Sequence, residues 1–210
     1  MYMFPSSCAD RGWMYSYYGS IAVGTPPVAY DVVLDTGSAD LWLVDSQCTQ
    51  NCYGSLPYNP SSSSTFANVN KPFAITYDGG QVSGYLAQDV VQMAGFRVQN
   101  QSLGMFNASP TGCSMTFTSG LCDQISDGML IQPVSGLMGL AWQAQSTANV
   151  KPFWQALYES NVLDEPLMAF YLTRYQNVTG ARAPLEPGGV FTLGLFKVPL
   201  HRTSGLITRL

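Results

Sequence analysis

The stretch Tyr30–Val44 constrains the fold of this chain more than any other part of the sequence. It contains two apolar runs typical of buried strands, Val32–Leu34 and Leu41–Val44. The short turn between them carries Asp35, and a carboxylate between buried strands is costly unless hydrogen-bond donors surround it. The hydroxyls of Thr36 and Ser38 and the backbone N–H groups of the turn are suitable donors. The sequence therefore predicts a held carboxylate at the end of a buried strand.

The chemistry of this turn has two interpretations. Gly37 allows backbone angles that other residues avoid, so the turn can wrap closely around Asp35. A carboxylate held by donors stays ionised and suits a general base. The alternative is an ordinary Asp-Gly turn between two strands, with no chemical role.

Several further motifs occur in a fixed order around this turn. They are Tyr17–Pro27, Val33–Trp42, Ile75–Gly84, Gly136–Ala141, Pro152–Arg174 and Gly188–Gly194. In this order they resemble the N-terminal lobe of pepsin-like aspartic proteases. The resemblance covers most of Tyr17–Gly194, which is about half of the catalytic unit of that family. It implies an all-β fold, the N-terminal lobe of a bilobal acid protease, with one short helix, expected at Asn149–Ser160.

The resemblance also divides the chain into three parts. Residues 1–14 are expected to be a disordered leader, residues 15–194 the pepsin-like lobe, and residues 195–210 an atypical tail. The tail is unlike the family and holds the sole histidine, His201. We expect that the chain is truncated before the second lobe, through an alternative exon, a frameshift or read-through.

In this family, two Asp-Thr/Ser-Gly turns, one from each lobe, activate a water that hydrolyses a peptide bond. The resemblance makes Asp35 one of the two catalytic residues and Thr36, Gly37 and Ser38 its supporting turn. The 210 residues contain no second such turn, so we expect the isolated chain to be a weak or inactive aspartic endopeptidase that uses no cofactor. The alternatives are a catalytically inactive pepsin-fold binding protein and a non-functional truncation product.

The family has a hairpin flap over its cleft, and the resemblance implies which residues form it and bind substrate. These are Tyr77, Asp78, Gly79 and Gly80, with Trp42 as the partner of the Tyr77 hydroxyl. An ordinary strand tyrosine packed on a tryptophan is the alternative. Val33 and Leu137 would line an apolar subsite, although each is equally suited to the core. We therefore expect polypeptide substrates with bulky apolar side chains at the cleavage site.

The cysteines and sequons suggest an extracellular or vacuolar, secretory-pathway location. By the resemblance, Cys48 and Cys52 form a disulfide, and Cys113 and Cys122 bracket a loop as the other natural pair, although reduced or metal-binding cysteines are the alternative. The candidate glycosylation sites are Asn100, Asn107 and Asn177. Residues Met1–Cys8 lack the basic and apolar regions of a signal peptide.

Composition excludes several other functions. With 9 Lys and Arg residues and a net charge of −4, the chain has no footprint for nucleic acid. It has no apolar run of membrane-spanning length, and one histidine leaves few ligands for a metal site. Asp40 and Asp89 are predicted to be turn or surface charges. Because the central sheet of the family takes strands from both lobes, self-association through exposed apolar edges is also expected.

Overall fold

The computed structural model describes residues 2–7, 13–48, 56–77, 80–106, 133–165, 167–172, 186–187, 189–194 and 206–209. The strands are β1 Tyr2–Ser7, β2 Trp13–Val23, β3 Val28–Asp35, β4 Leu41–Val44, β5 Ala67–Tyr77, β6 Gly80–Met93, β7 Phe96–Phe106, β8 Gly136–Gly139, β9 Leu167–Leu172, β10 Glu186–Pro187, β11 Gly189–Leu193 and β12 Leu206–Arg209. The helix α1 spans Phe153–Glu159, and short 3-10 turns occur at Pro60–Ser62 and Gln143–Gln145. The predicted all-β lobe is confirmed.

The strands form one large sheet and one small sheet. The large sheet has the order β10-β1-β2-β3-β8-β4-β7-β6-β5, and an additional pairing of β2 with β6 curls it into a barrel. The small sheet has the order β11-β9-β12. Within the large sheet, β8 lies parallel to β3 and antiparallel to β4. This insertion places residues more than 90 positions apart in sequence side by side, directly beneath the Asp35 turn.

Strand β4 shows why the lobe has apolar residues on both faces of its sheet. Successive side chains of a strand point to opposite faces. Leu43 accordingly joins the main core cluster with Leu103 and Met105, whereas Trp42 and Val44 join a second cluster on the other face. Because both faces are covered, every residue of β4 is buried, as its uninterrupted apolar sequence predicts.

The helix differs from the sequence expectation, whereas the division of the chain into three parts stays a prediction. Residues Tyr2–Ser7, which belong to the expected leader, form β1, paired with β2. The helix begins at Phe153 rather than at Asn149, because Asn149 has a positive φ of 55° and Pro152 occupies the N-cap. Within the atypical tail, β12 pairs with β9. The boundaries of the lobe and its tail remain predictions.

Candidate active site

Asp35 ends strand β3 and is half-buried. Its Oδ1 accepts a hydrogen bond from the backbone N–H of Gly37 at 2.9 Å. Its Oδ2 accepts one from the Ser38 hydroxyl at 2.5 Å. A Cβ on Gly37 would lie 3.2 Å from Asp35 Oδ1, so glycine lets the turn stay close to the carboxylate. The side chain of Thr36, a predicted donor, is exposed, and no described hydrogen bond joins it to Asp35.

The segment that follows β8 supports this turn from below. The backbone N–H of Leu140 donates to the Asp35 carbonyl at 2.7 Å, and that of Ala141 donates to the Ser38 carbonyl at 2.9 Å. The Gly139 N–H donates to the Asp40 carbonyl at 2.9 Å. Three backbone bonds therefore fix the turn on both sides of its carboxylate. Fixed donors and a fixed backbone keep a reacting group in one orientation.

Tyr77 lies at the end of β5, next to the turn that carries Asp35. The Trp42 indole N–H donates to the Tyr77 hydroxyl at 3.0 Å, which is the contact that the sequence predicts. Burial raises the pKa of Tyr77 to about 12, and the negative charges of Asp35 and Asp40 act in the same direction. Hydrogen bonding with Trp42 and Ser38 opposes that rise. The phenol is therefore protonated at any acidic or neutral pH.

We expect a titration of the folded chain to place the pKa of Tyr77 near 12, well above the value of about 10 for a solvent-exposed tyrosine. The measurement is the difference in phenolate absorbance between the wild-type chain and Tyr77→Phe. Because the pKa is higher in the folded state, folding stability should fall as the pH rises from about 10 towards 12. A Tyr77 that ionises at its ordinary value would contradict its burial beside two carboxylates.

Val33 and Leu137 are neighbours across the β3–β8 pair. Val33 is half-buried, Leu137 is buried, and both pack on the cluster that contains Trp42. This placement suits both the core and a subsite, so their contact with substrate remains a prediction.

The structure corrects the prediction for Asp40 and Asp89, which are buried rather than surface charges, with 1% and 0% of their area exposed. Asp40 accepts hydrogen bonds from the Ser146 hydroxyl at 2.6 Å and from the Thr147 backbone N–H at 2.8 Å. Asp89 accepts hydrogen bonds from Tyr58, Thr65 and the Val90 backbone. One sequence signal for Asp40 was its position immediately before a fully apolar strand. Its donors are distant in sequence, so no local pattern reveals them.

Several predicted site residues lie outside the described part of the chain. They are Asp78, Gly79, Cys52, Cys113, Cys122, Asn107 and Asn177. Gly80 pairs with Tyr77 as the first residue of β6. Cys48 is half-buried against the Trp42 cluster, and Asn100 is exposed. Both cysteine pairings therefore remain predictions.

Within the described ranges, no group of three or more His, Cys, Asp or Glu side chains could hold a metal ion. No helix in that part of the chain is long and apolar enough to cross a membrane.

The family model for eukaryotic aspartyl proteases matches residues 16–183, and the chain belongs to this family. Members of the family that match the chain are named as aspartic peptidases or proteases.

Three curated relatives illustrate the match. Major aspartyl peptidase 1 of Cryptococcus neoformans is 35% identical over 94% of this chain and 37% of its own length. Aspartic protease 1 of Caenorhabditis elegans is 34% identical over 85% of this chain and 42% of its own length. Cathepsin D of the dog is 32% identical over 85% of this chain and 41% of its own length. The chain spans about two fifths of the length of these relatives.

Proposed function

We propose that this chain provides the first catalytic half of an aspartic endopeptidase and that Asp35 is one of its two reacting carboxylates. One observation carries the proposal. Both oxygens of Asp35 accept hydrogen bonds within the turn, from Gly37 and from Ser38. An ionised carboxylate is acceptor-only, so two donors suit the form that removes a proton from water.

In the proposed reaction, a water lies between Asp35 and a second carboxylate that another lobe provides. Two carboxylates close enough to share a bound water also share one proton, because like charges that close cannot both ionise. Pepsin, a member of the same class, is a standard example of this behaviour. Asp35 accepts a proton from the water, the resulting hydroxide attacks the peptide carbonyl, and the second carboxylic acid donates to the carbonyl oxygen. Collapse of the tetrahedral intermediate breaks the C–N bond: Asp35 passes its proton to the leaving amine, and the second carboxylate takes back a proton from a hydroxyl of the intermediate.

Tyr77 and its hairpin are the proposed cover of this site. The bond from Trp42 holds the Tyr77 hydroxyl, and the neighbouring glycines at positions 79 and 80 permit the hairpin to open for substrate. Val33 and Leu137 are proposed to accept bulky apolar side chains next to the cleaved bond. Polypeptides with such side chains are therefore the proposed substrates.

The location of the protein is a further part of this proposal. Relatives that match the chain are named vacuolar protease A and cathepsin D. We infer a vacuolar, lysosomal or secretory setting, which agrees with the predicted pairings Cys48–Cys52 and Cys113–Cys122. Asn100 is exposed on β7 and accessible to a glycan.

The proposed function predicts that residues 15–194 work only with a second carboxylate. We expect the purified chain to show little acid hydrolysis of a denatured protein. A chimaera in which residues 15–194 replace the first lobe of Aspergillus fumigatus vacuolar protease A should hydrolyse the same denatured protein, and pepstatin should inhibit this hydrolysis. The loss of one member of an acid–base pair typically costs about 10²–10⁴ in rate, which sets the expected difference.

Two results would contradict the proposal. Hydrolysis by the purified chain at the rate of the chimaera would show that one carboxylate suffices. A folded chimaera that binds pepstatin but does not hydrolyse protein would favour the alternative, a pepsin-fold binding protein.

A further inference from the structure

Residues 146–150 are attached to the chain just beyond the Asp35 turn through one side chain, that of Asp40. Asp40, five residues after Asp35, directs both carboxylate oxygens to this segment: Oδ1 accepts from the Ser146 hydroxyl at 2.6 Å and Oδ2 accepts from the Thr147 N–H at 2.8 Å. The Ser146 hydroxyl oxygen in turn accepts from the Val150 N–H at 2.9 Å. One buried carboxylate thus holds Ser146 and Thr147 directly, and Val150 through the Ser146 hydroxyl.

The same segment contributes to the apolar cluster on which Tyr77 packs. Ala148 and Val150 pack on the cluster that contains Trp42 and Leu137, and Tyr77 packs on this cluster too. Beyond Val150, the buried Gln101 donates to the Lys151 carbonyl at 2.9 Å and holds the end of the segment. The segment therefore links the Asp35 turn, through Asp40, to the apolar support of Tyr77.

Among the described residues, the side chain of Asp40 is joined by hydrogen bonds and by no ion pair. The ion pair found among the described residues joins Lys151 to Glu159 at the surface, and Asp40 takes no part in it. A buried carboxylate that loses a hydrogen-bond donor incurs a desolvation cost. This cost favours the positions of Ser146 and Thr147 in which both donate to Asp40. The hydrogen bonds from Ser146 and Thr147 to Asp40 are therefore expected to persist, unlike hydrogen bonds at an exposed surface.

We propose that Asp40 is a positioning residue that holds residues 146–150 against the Asp35 turn, so that Ala148 and Val150 keep Tyr77 bonded to Trp42. Only the consequence of this attachment rests on the proposed function: the attachment would fix the shape of the substrate cleft beside Tyr77. The attachment itself is present without substrate, and it can be tested without turnover.

The test is NMR on the full 210-residue chain, with Asp40→Ala and Asp40→Asn. In Asp40→Ala, we expect amide exchange at Thr147 and Val150 to be faster on the order of tenfold or more, since charge-assisted bonds are lost. The Trp42 indole N–H signal should shift or broaden. In Asp40→Asn, the amide oxygen still accepts from Thr147 and its NH₂ can donate to the Ser146 hydroxyl oxygen, so most of the wild-type behaviour should return.

The chain offers an internal reference and a matched control. The Trp154 indole N–H donates to the Ala141 carbonyl at 3.1 Å and should not change in either Asp40 variant. Asp89→Asn alters an equally buried carboxylate, bonded to Tyr58 and Thr65, and should leave the Trp42 and Val150 signals unchanged. Ser146→Ala is a milder variant that tests the same attachment if Asp40→Ala does not fold. It should accelerate exchange at Val150 and move the Trp42 signal.

Three outcomes would overturn the proposal. The first is an unchanged Trp42 signal in Asp40→Ala, or in Ser146→Ala if that variant replaces it. The second is an equal disturbance at Trp154, which would mean a general loss of structure. The third is an Asp40→Asn variant whose amide exchange and Trp42 signal change as much as those of Asp40→Ala. The charge of Asp40, and not its hydrogen bonds to residues 146–150, would then cause the change. An inactive chimaera would count against the proposed function and would leave these signals as they are.

Discussion

Replacement of Asp35 by Asn should lower the rate of acid protein hydrolysis by the chimaera on the order of 10²- to 10⁴-fold. The side chain keeps its shape, and its carbonyl oxygen can still accept from the Gly37 N–H, which lies 2.9 Å from Asp35 Oδ1. A neutral carboxamide cannot remove a proton from water, so the fold survives while the chemistry is lost. The measurement is the initial rate on a denatured protein at acidic pH.

The matched control for this prediction is Asp31→Asn. Asp31 lies on the same strand, and burial raises its pKa, but it is outside the turn that holds Asp35. We expect this variant to keep the rate within a few-fold of the parent chimaera, because it changes no donor to Asp35. An Asp35→Asn chimaera that kept more than a tenth of the parent rate would rule out Asp35 as a reacting carboxylate.

Replacement of Gly139 by Ala should destabilise the lobe by about 1–3 kcal/mol or more, because a new methyl group would overlap packed backbone. A Cβ at Gly139 would lie 2.4 Å from the carbonyl carbon of Ala39 and 2.6 Å from its Cα and N. Backbone atoms cannot rotate away as a side chain can, so either β8 or the turn before Asp40 must move. The expected readout is a lower urea midpoint, followed by tryptophan fluorescence.

Gly19→Ala is the matched control, since the atom nearest to a new Cβ there is the flexible Leu34 Cδ1 at 3.4 Å. Its midpoint should stay close to wild type. In the chimaera, Gly139→Ala should also weaken pepstatin binding, because Gly139 donates to the Asp40 carbonyl beneath the active turn. Equal midpoints for the two alanine variants would show that the close approach of β8 does not constrain the turn.

The local chemistry of the site follows from residues that are close neighbours in the sequence. Asp35, Gly37 and Ser38 are consecutive or nearly so, and their bonds close within three residues. The apolar runs on both sides predicted buried strands because a fully covered strand needs apolar residues on both faces. The order of the motifs, through the family resemblance, was sufficient to predict the all-β lobe.

Which polar groups are buried, and which residues they bind, depends instead on contacts between distant parts of the chain. Asp40 meets Ser146 across 106 positions of the chain, and Asp89 meets Tyr58 across 31. Strand β8 pairs in parallel with β3, and no local turn motif predicts this pairing. Strand β1 pairs with the edge of β2. Local patterns follow from backbone geometry and neighbouring side chains, whereas these contacts depend on the path of the whole chain. The carboxylate at residue 35 could therefore be predicted from its own turn, but the role of residue 40 could not.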